Sequence, residues 1–161
     1  MRILIVSDSH GRDEYLLAAI EAERPFDLLI HLGDFQTDER EIEKMAGVPV
    51  FMVSGNCDYY TRISDVRFVE LEGFRIFMAH GHNHGVRWGD TRRLTRTARQ
   101  HGCDIVMFGH THCPVEDRTD PKLLVLNPGS IALPRQQGRE HTYMILTLRR
   151  GMRPEVELKT L

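Results

Sequence analysis

The sequence predicts an α/β fold in which two packed sheets carry their helices on the outside. Three observations predict it. Six short runs rich in Ile, Val, Leu, Met and Phe stop at a Gly or a polar turn, as strands buried on both faces do. Helical patterns separate several of these runs, and strands alternating with helices argue for a largely parallel sheet. Two further pairs of runs are joined too tightly for a helix and read as antiparallel hairpins, which a simple doubly wound sheet does not need.

Taken in order, residues 3–6 form the first strand. Asp13 then caps a helix with Leu16, Leu17 and Ile20 on one face, leading to the second strand at 28–30 and completing a βαβ unit. Asp38 with Glu41 three residues on, then Ile42 and Met45, predicts a short second helix that ends at Gly47, before the third strand at 50–53. Runs 67–71 and 74–79 are separated only by Glu72-Gly73 and form a hairpin. A third helix is expected over 90–101, with Leu94 and Ala98 one turn apart and Gly102 as its stop. Strands at 105–108 and 123–126 follow, and 143–148 with 155–158 make a closing hairpin.

The length of 161 residues suits one domain spanning 1–161. Hydrophobic residues at 41% and charged residues at 27% describe a globular protein and exclude disorder. A net charge of -2, from 21 basic and 23 acidic residues, offers no footprint for long duplex nucleic acid. No apolar run is long enough to span a bilayer, and the first strand is too short for a signal-peptide core. Three cysteines without a CxxC spacing fit a reducing compartment, so a cytoplasmic location is expected. Neither GxGxxG after the first strand nor GxxxxGK[ST] occurs, which disfavours dinucleotide enzymes and P-loop NTPases.

The chemistry lies where the strands stop. In open α/β sheets ligands bind beyond the carboxyl ends of the strands, so the polar segments after the six runs should meet at one rim. Asp8-Ser9-His10 and His110-Thr111-His112 each place two ligand types two residues apart, which in an extended segment points them to one side. Asp34, Asn56 and His80 follow other runs. Four His, two Asp and one Asn suffice for two four-ligand sets if a carboxylate is shared, and Asp34 is the choice for that bridge. Mixed imidazole and carboxylate ligands favour Mn, Fe, Co, Ni or Zn over Mg or Ca, with manganese expected first. Two such ions about 3.5–4 Å apart clamp the oxygens of a phosphoryl displacement and lower the pKa of a shared water, giving a hydroxide nucleophile near neutral pH. The expected chemistry is metal-assisted hydrolysis of phosphoesters.

The segments DSH, GD, GNCD, HGH and GHTH, in this order at strand ends, resemble the calcineurin-like metallophosphoesterase superfamily and its small YfcE-like phosphodiesterase branch. The resemblance spans nearly the whole chain, and the Asn127-Pro128-Gly129-Ser130 turn also matches that branch. It implies a four-layer α/β/β/α sandwich of two mixed sheets flanked by helices. It further implies one ion on Asp8, His10, Asp34 and His112 and a second on Asp34, Asn56, His80 and His110. Many larger members carry a His after the Gly-Asn pair, thought to protonate the leaving group, where this chain has Cys57 and then Asp58. A thiol is a poor substitute for imidazolium, so Asp58 and His82 are the candidate helpers at the leaving oxygen.

Other polar residues have plainer readings. His31, His84, His101 and His141 are expected as hydrogen-bonded structural residues. Arg92, Arg93, Arg96 and Arg99 read as a solvated helix face. Arg135, shortly after the Asn-Pro-Gly-Ser turn, is a candidate contact to a substrate phosphate, as is Asn56. Cys103, Cys113 and Trp88 read as packing residues. The same superfamily includes a retromer subunit that works through protein contacts, so a binding scaffold is the alternative to an enzyme, with a monoesterase or nucleotide pyrophosphatase as catalytic variants. Flanking hairpin edges allow homo-oligomers without fixing their number.

Overall fold

The computed structural model describes residues 1–161, except for the side chain of Trp88, so the packing expected of that residue lies outside what is described. The first sheet has the order β10-β9-β1-β2-β3, from β1 (Arg2–Val6), β2 (Leu28–His31), β3 (Val50–Met52), β9 (Thr142–Thr147) and β10 (Glu155–Thr160). The second has the order β4-β5-β6-β8-β7, from β4 (Val66–Leu71), β5 (Phe74–Ala79), β6 (Ile105–Phe108), β7 (Pro114–Asp120) and β8 (Leu123–Pro128). Each sheet holds three adjacent parallel strands: β1-β2-β3 ends at the edge strand β3 with the antiparallel β9 and β10 on its other side, whereas β5-β6-β8 is flanked by the antiparallel β4 and β7. Three helices, α1 (Asp13–Glu23), α2 (Glu39–Ala46) and α3 (Arg92–Gln100), complete an α/β/β/α sandwich.

The apolar runs have no polar face because successive side chains enter different cores. In β1, Ile3 and Ile5 meet Ile76, Met78, Ile105, Met107, Leu124 and Leu126 in the core between the sheets. Leu4 and Val6 point the other way, against Leu16 and Ile20 of α1 and Ile42 of α2. The second sheet mirrors this, sending Phe77, Val106, Phe108 and Val125 against Leu94 and Ala98 of α3.

Three local expectations change. Asp13 does not cap α1; Arg12 holds that position without a side-chain bond, and Asp13 instead accepts from Thr37 Oγ1 at 2.7 Å. Helix α3 begins at Arg92, because Asp90 uses its carboxylate to accept the Arg92 N–H in the turn before the helix. Strand β7 stands where no strand was predicted, pairing with β8 as an edge strand. The α2 expectation is met: Asp38 accepts from the Arg40 N–H, and Gly47 closes the helix with φ 63°. Among the described residues, no helix is long and apolar enough to cross a membrane.

Candidate metal centre

The carboxyl ends of the central strands of both sheets open onto one rim. Asp8 and His10 follow β1, Asp34 follows β2, His80 follows β5, and His110 and His112 follow β6. The extended geometry expected for the i, i+2 pairs is not how they converge. Asp8 and His10 have φ of 56° and 48°, Asp34 and Gln36 54° and 53°, His110 and His112 68° and 57°. Three loops thus repeat one left-handed pattern, which for residues other than glycine costs on the order of 1–3 kcal/mol each and gathers where function demands it.

These loops bring five side chains into contact. Asp8 Oδ1 lies 3.1 Å from His112 Nε2, 3.9 Å from His80 Nε2 and 4.0 Å from His10 Nε2. Asp34 Oδ2 lies 3.4 Å from His80 Nε2 and 3.8 Å from His10 Nε2. Asp8, Asp34, His80 and His112 are buried. His110 joins at the edge, its ring 5.2 Å from that of His80. Asn56 is exposed on the adjoining loop, with its amide donating to Cys57 Sγ.

Neighbouring groups fix each donor. Asp8 Oδ2 accepts from Ser7 Oγ at 2.6 Å and from the His110 N–H at 3.1 Å, which turns Oδ1 toward the histidines. Nδ1 of His80 is held by the Leu32 carbonyl, that of His112 by the Leu133 carbonyl and that of His10 by Gln36 Oε1, so each presents Nε2 to the centre. Hydrogen bonds of this kind to the far ring nitrogen orient a ligating imidazole and raise its basicity. Asp34 Oδ1 accepts the Cys57 N–H at 2.7 Å, leaving Oδ2 for the centre. Two glycines permit the approach: a Cβ at Gly55 would lie 2.1 Å from Asp34 Oδ1, and one at Gly109 2.0 Å from Ser7 Oγ.

The charges are concentrated. Burial would raise the Asp8 pKa, but His112, His80 and Ser7 outweigh it and hold the carboxyl low. Burial likewise opposes the ionisation of Asp34, yet the contact and charge of His80 and the Cys57 N–H keep it well below the usual range. Burial alone would lower the His80 pKa, whereas Asp34 and Asp8 raise it. Among the described residues, Asp8 Oδ1 and His80 Nε2 are buried without a hydrogen-bond partner. Two ionised carboxylates converging with several imidazole nitrogens, two of these atoms unpartnered, fit divalent cations of the transition series. Asp8, His10 and His112 form one group within 4.8 Å, and Asp8, Asp34 and His80 another.

The remaining candidates separate. Asp58 accepts the N–H groups of Asp34 and Gly55 at 2.7 Å and of Gln36 at 2.9 Å, so its carboxylate clasps two loops together. His82 lies half-buried with Nδ1 unpartnered and its ring 5.5 Å from that of His80; burial and the His80 charge lower its pKa. Arg135 is exposed, and its N–H donates to the His112 carbonyl. His31 is structural, as expected: it is fully buried, its Nε2 pairs with Ser9 Oγ at 3.0 Å, and burial pushes its pKa down to about 4. Of the Asn-Pro-Gly-Ser turn, Asn127 donates to the Gly109 carbonyl and Ser130 Oγ to the Asp8 carbonyl, so it ties the β1 and β6 loops together.

Sequence reasoning missed Gln36 and Ser7, which orient ligands, while Cys57, already placed beside the leaving group, has its sulfur grouped with His10 and Asp34. Gln36 carried a signal, since it follows Asp34 at the spacing by which His10 follows Asp8. Burial and the Asp34 charge push the Cys57 pKa up to about 11.

Comparison with known proteins agrees with this geometry. The calcineurin-like phosphoesterase superfamily domain matches residues 1–151. A probable metallophosphoesterase of Bacillus subtilis, YsnB, is 39% identical over 149 residues, which cover 92% of this chain and 85% of that protein. A Methanocaldococcus jannaschii protein named as a phosphodiesterase is 29% identical, covering 80% of this chain and 83% of its own. A Streptococcus pneumoniae protein described as a predicted phosphoesterase has a crystal structure that superposes with a TM-score of 0.85 at 27% identity, over 99% of this chain and 88% of that one. The fold is also that of Vps29 from Entamoeba histolytica complexed with zinc, with a TM-score of 0.77, 21% identity and 99% coverage of both chains.

Proposed function

Because this chain belongs to the calcineurin-like phosphoesterase superfamily, we propose that it is a phosphodiesterase using two divalent cations to hydrolyse small phosphodiesters. The observation that carries the reading is the pair of buried, unpartnered atoms, Asp8 Oδ1 and His80 Nε2, aimed at a centre shared with Asp34, His10 and His112. One cation would be held by Asp8, His10, Asp34 and His112, and the other by Asp34, Asn56, His80 and His110. Manganese is the first candidate, with Ni, Zn, Fe and Co sharing its ligand preference. When bound, such ions supply a charge clamp for phosphoryl oxygens and a water acidic enough to attack near neutral pH.

The chain's own groups do the rest. Asp34 would serve both cations; Ser7, Gln36 and the Leu32 and Leu133 carbonyls hold the ligands in register. Asn56, exposed on its loop, would meet a substrate phosphate as well as a cation. Of the two candidate helpers, His82 stands beside the cluster with its ring 5.5 Å from that of His80, whereas the carboxylate of Asp58 is engaged by three N–H groups and positions the Asp34 and Asn56 loops. A protein-binding scaffold on this fold would not require so complete a nitrogen and carboxylate set, and that set favours the enzyme.

The test is hydrolysis of a chromogenic phosphodiester and the matching monoester by metal-stripped protein, titrated separately with Mn, Ni, Zn and Mg. Diesterase activity restored by a transition metal and lost in His80→Ala is the expected result. Preference for the monoester would shift the reading to a phosphomonoesterase, and inactivity of a folded protein with every metal would favour the scaffold.

A further inference from the structure

A concavity of about 610 Å³ adjoins the ligand cluster, lined by Arg12, Tyr15, Leu133, Arg135, Arg139 and His141 among others. It is tied to the ligands themselves. Arg12 lies two residues beyond His10, the Leu133 carbonyl accepts from His112 Nδ1 at 2.5 Å, and the Arg135 N–H donates to the His112 carbonyl at 3.1 Å. One wall is stiff, because the Tyr15 and His141 rings stack at 4.3 Å and 12°, and His141 Nδ1 is held by the Ile131 carbonyl.

The charge of this cleft is one-sided. Three arginines and a histidine line it, and no acidic residue does. Among the described residues, Arg12, Arg135 and Arg139 form no ion pair, although Asp13, Glu14 and Glu140 are close in sequence; Arg2, Arg92, Arg99, Arg118 and Arg149 each have one. A second cleft, on the side of the Cys57–Asp58 loop, differs: it mixes Arg40 and Arg62 with Asp38, Glu39 and Asp58. A dianion is therefore drawn to the first cleft and opposed in the second. In a chain of net charge -2 this positive field is local, which suits a short substrate rather than a long polyanion.

Resting on the phosphodiesterase reading, we infer that the cleft of Arg12, Arg135 and Arg139 holds a terminal phosphate of the substrate, so that short diesters carrying such a phosphate, for example 5′-phosphorylated dinucleotides, are preferred. Guanidinium groups meet phosphate through paired, charge-assisted hydrogen bonds, and three arginines lining one concavity suit a dianionic group better than a single negative charge. The scissile diester then lies over the ligand cluster with its phosphorylated arm in this cleft.

The experiment compares thymidylyl-thymidine with its 5′-phosphorylated form as substrates of the metal-loaded protein, with products separated by chromatography. The phosphorylated dinucleotide should show a kcat/KM roughly tenfold higher. The Arg135→Gln/Arg139→Asn variant should bring that preference close to unity, Asn being chosen because position 139 has a φ of 50°. An Arg92→Gln/Arg96→Gln variant on α3 should keep the preference. Equal rates on both dinucleotides with the native protein, or a preference that survives in the Arg135/Arg139 variant, would overturn the inference. Failure to cleave either dinucleotide counts against the phosphodiesterase reading alone, and the cleft is then judged by calorimetry of thymidine 5′-monophosphate against thymidine. Tighter binding of the monophosphate, weakened roughly tenfold in the Arg135/Arg139 variant, sustains the phosphate site; equal binding of both ligands removes it.

Discussion

The two sheets contribute different chemistry to one rim. The β1 and β2 loops of the first sheet bring both buried carboxylates, Asp8 and Asp34, together with His10. The β5 and β6 loops of the second bring only imidazoles, His80, His110 and His112. Either half alone would leave an uncompensated set: two carboxylates without cations on one side, a group of histidines without a counter-charge on the other. Across the rim, Asp34 and Asp8 raise the His80 pKa, so the charge of one half favours the opposite charge in the other. The site is thus a property of sheet packing as much as of the ligands, and its parts can be tested from either sheet.

The largest effect should come from the carboxylate proposed to be shared. Asp34→Asn keeps the shape and removes the charge from both ligand sets, and activity should fall about a thousandfold or more, read as kcat/KM at saturating manganese. Next is the packing that joins the halves. Ile105→Ala opens a cavity in the core between the sheets and should destabilise the fold by about 2–5 kcal/mol in urea unfolding, while ligand identities are untouched.

A pH effect sharpens the comparison, because His31 lies beneath the first-sheet ligands and is held neutral by burial, with a folded pKa of about 4. A depressed pKa means that the unfolded chain takes up a proton that the folded one refuses. Its stabilising effect is therefore complete above the unfolded value of about 6.5 and is lost as the pH falls toward 4, by about 3 kcal/mol in all. Chemical denaturation of the metal-free protein between these limits should be steeper in pH than that of His31→Gln. The smallest effect is expected at Gln36→Ala, which frees the His10 ring and should weaken metal affinity about tenfold by calorimetry.

Much of the fold was legible because the strands are buried on both faces and so stand out as unbroken apolar runs ending in Gly or polar turns. Strand β7 was not, since its sequence from Pro114 to Asp120 is mostly polar and half-exposed, an edge strand defined by its pairing with β8 rather than by its own residues. The ligand residues were legible as residue types at strand ends. The left-handed backbone that aims them was not, because Asp and His carry no local signal comparable to glycine for a positive φ. Asp58 shows the limit of motif reasoning: its position suggested chemistry, whereas three N–H groups converge on its carboxylate from two loops that only the folded chain brings together.

The central claim, a two-cation centre bridged by Asp34, is tested most directly by calorimetric titration of metal-stripped protein with manganese, native and Asp34→Asn side by side. The account predicts two ions per native chain, with release of protons as His80 becomes a ligand, and at most one weakly held ion in the variant. A native protein that binds no ion, or a variant that binds two as tightly as the native chain, would contradict it.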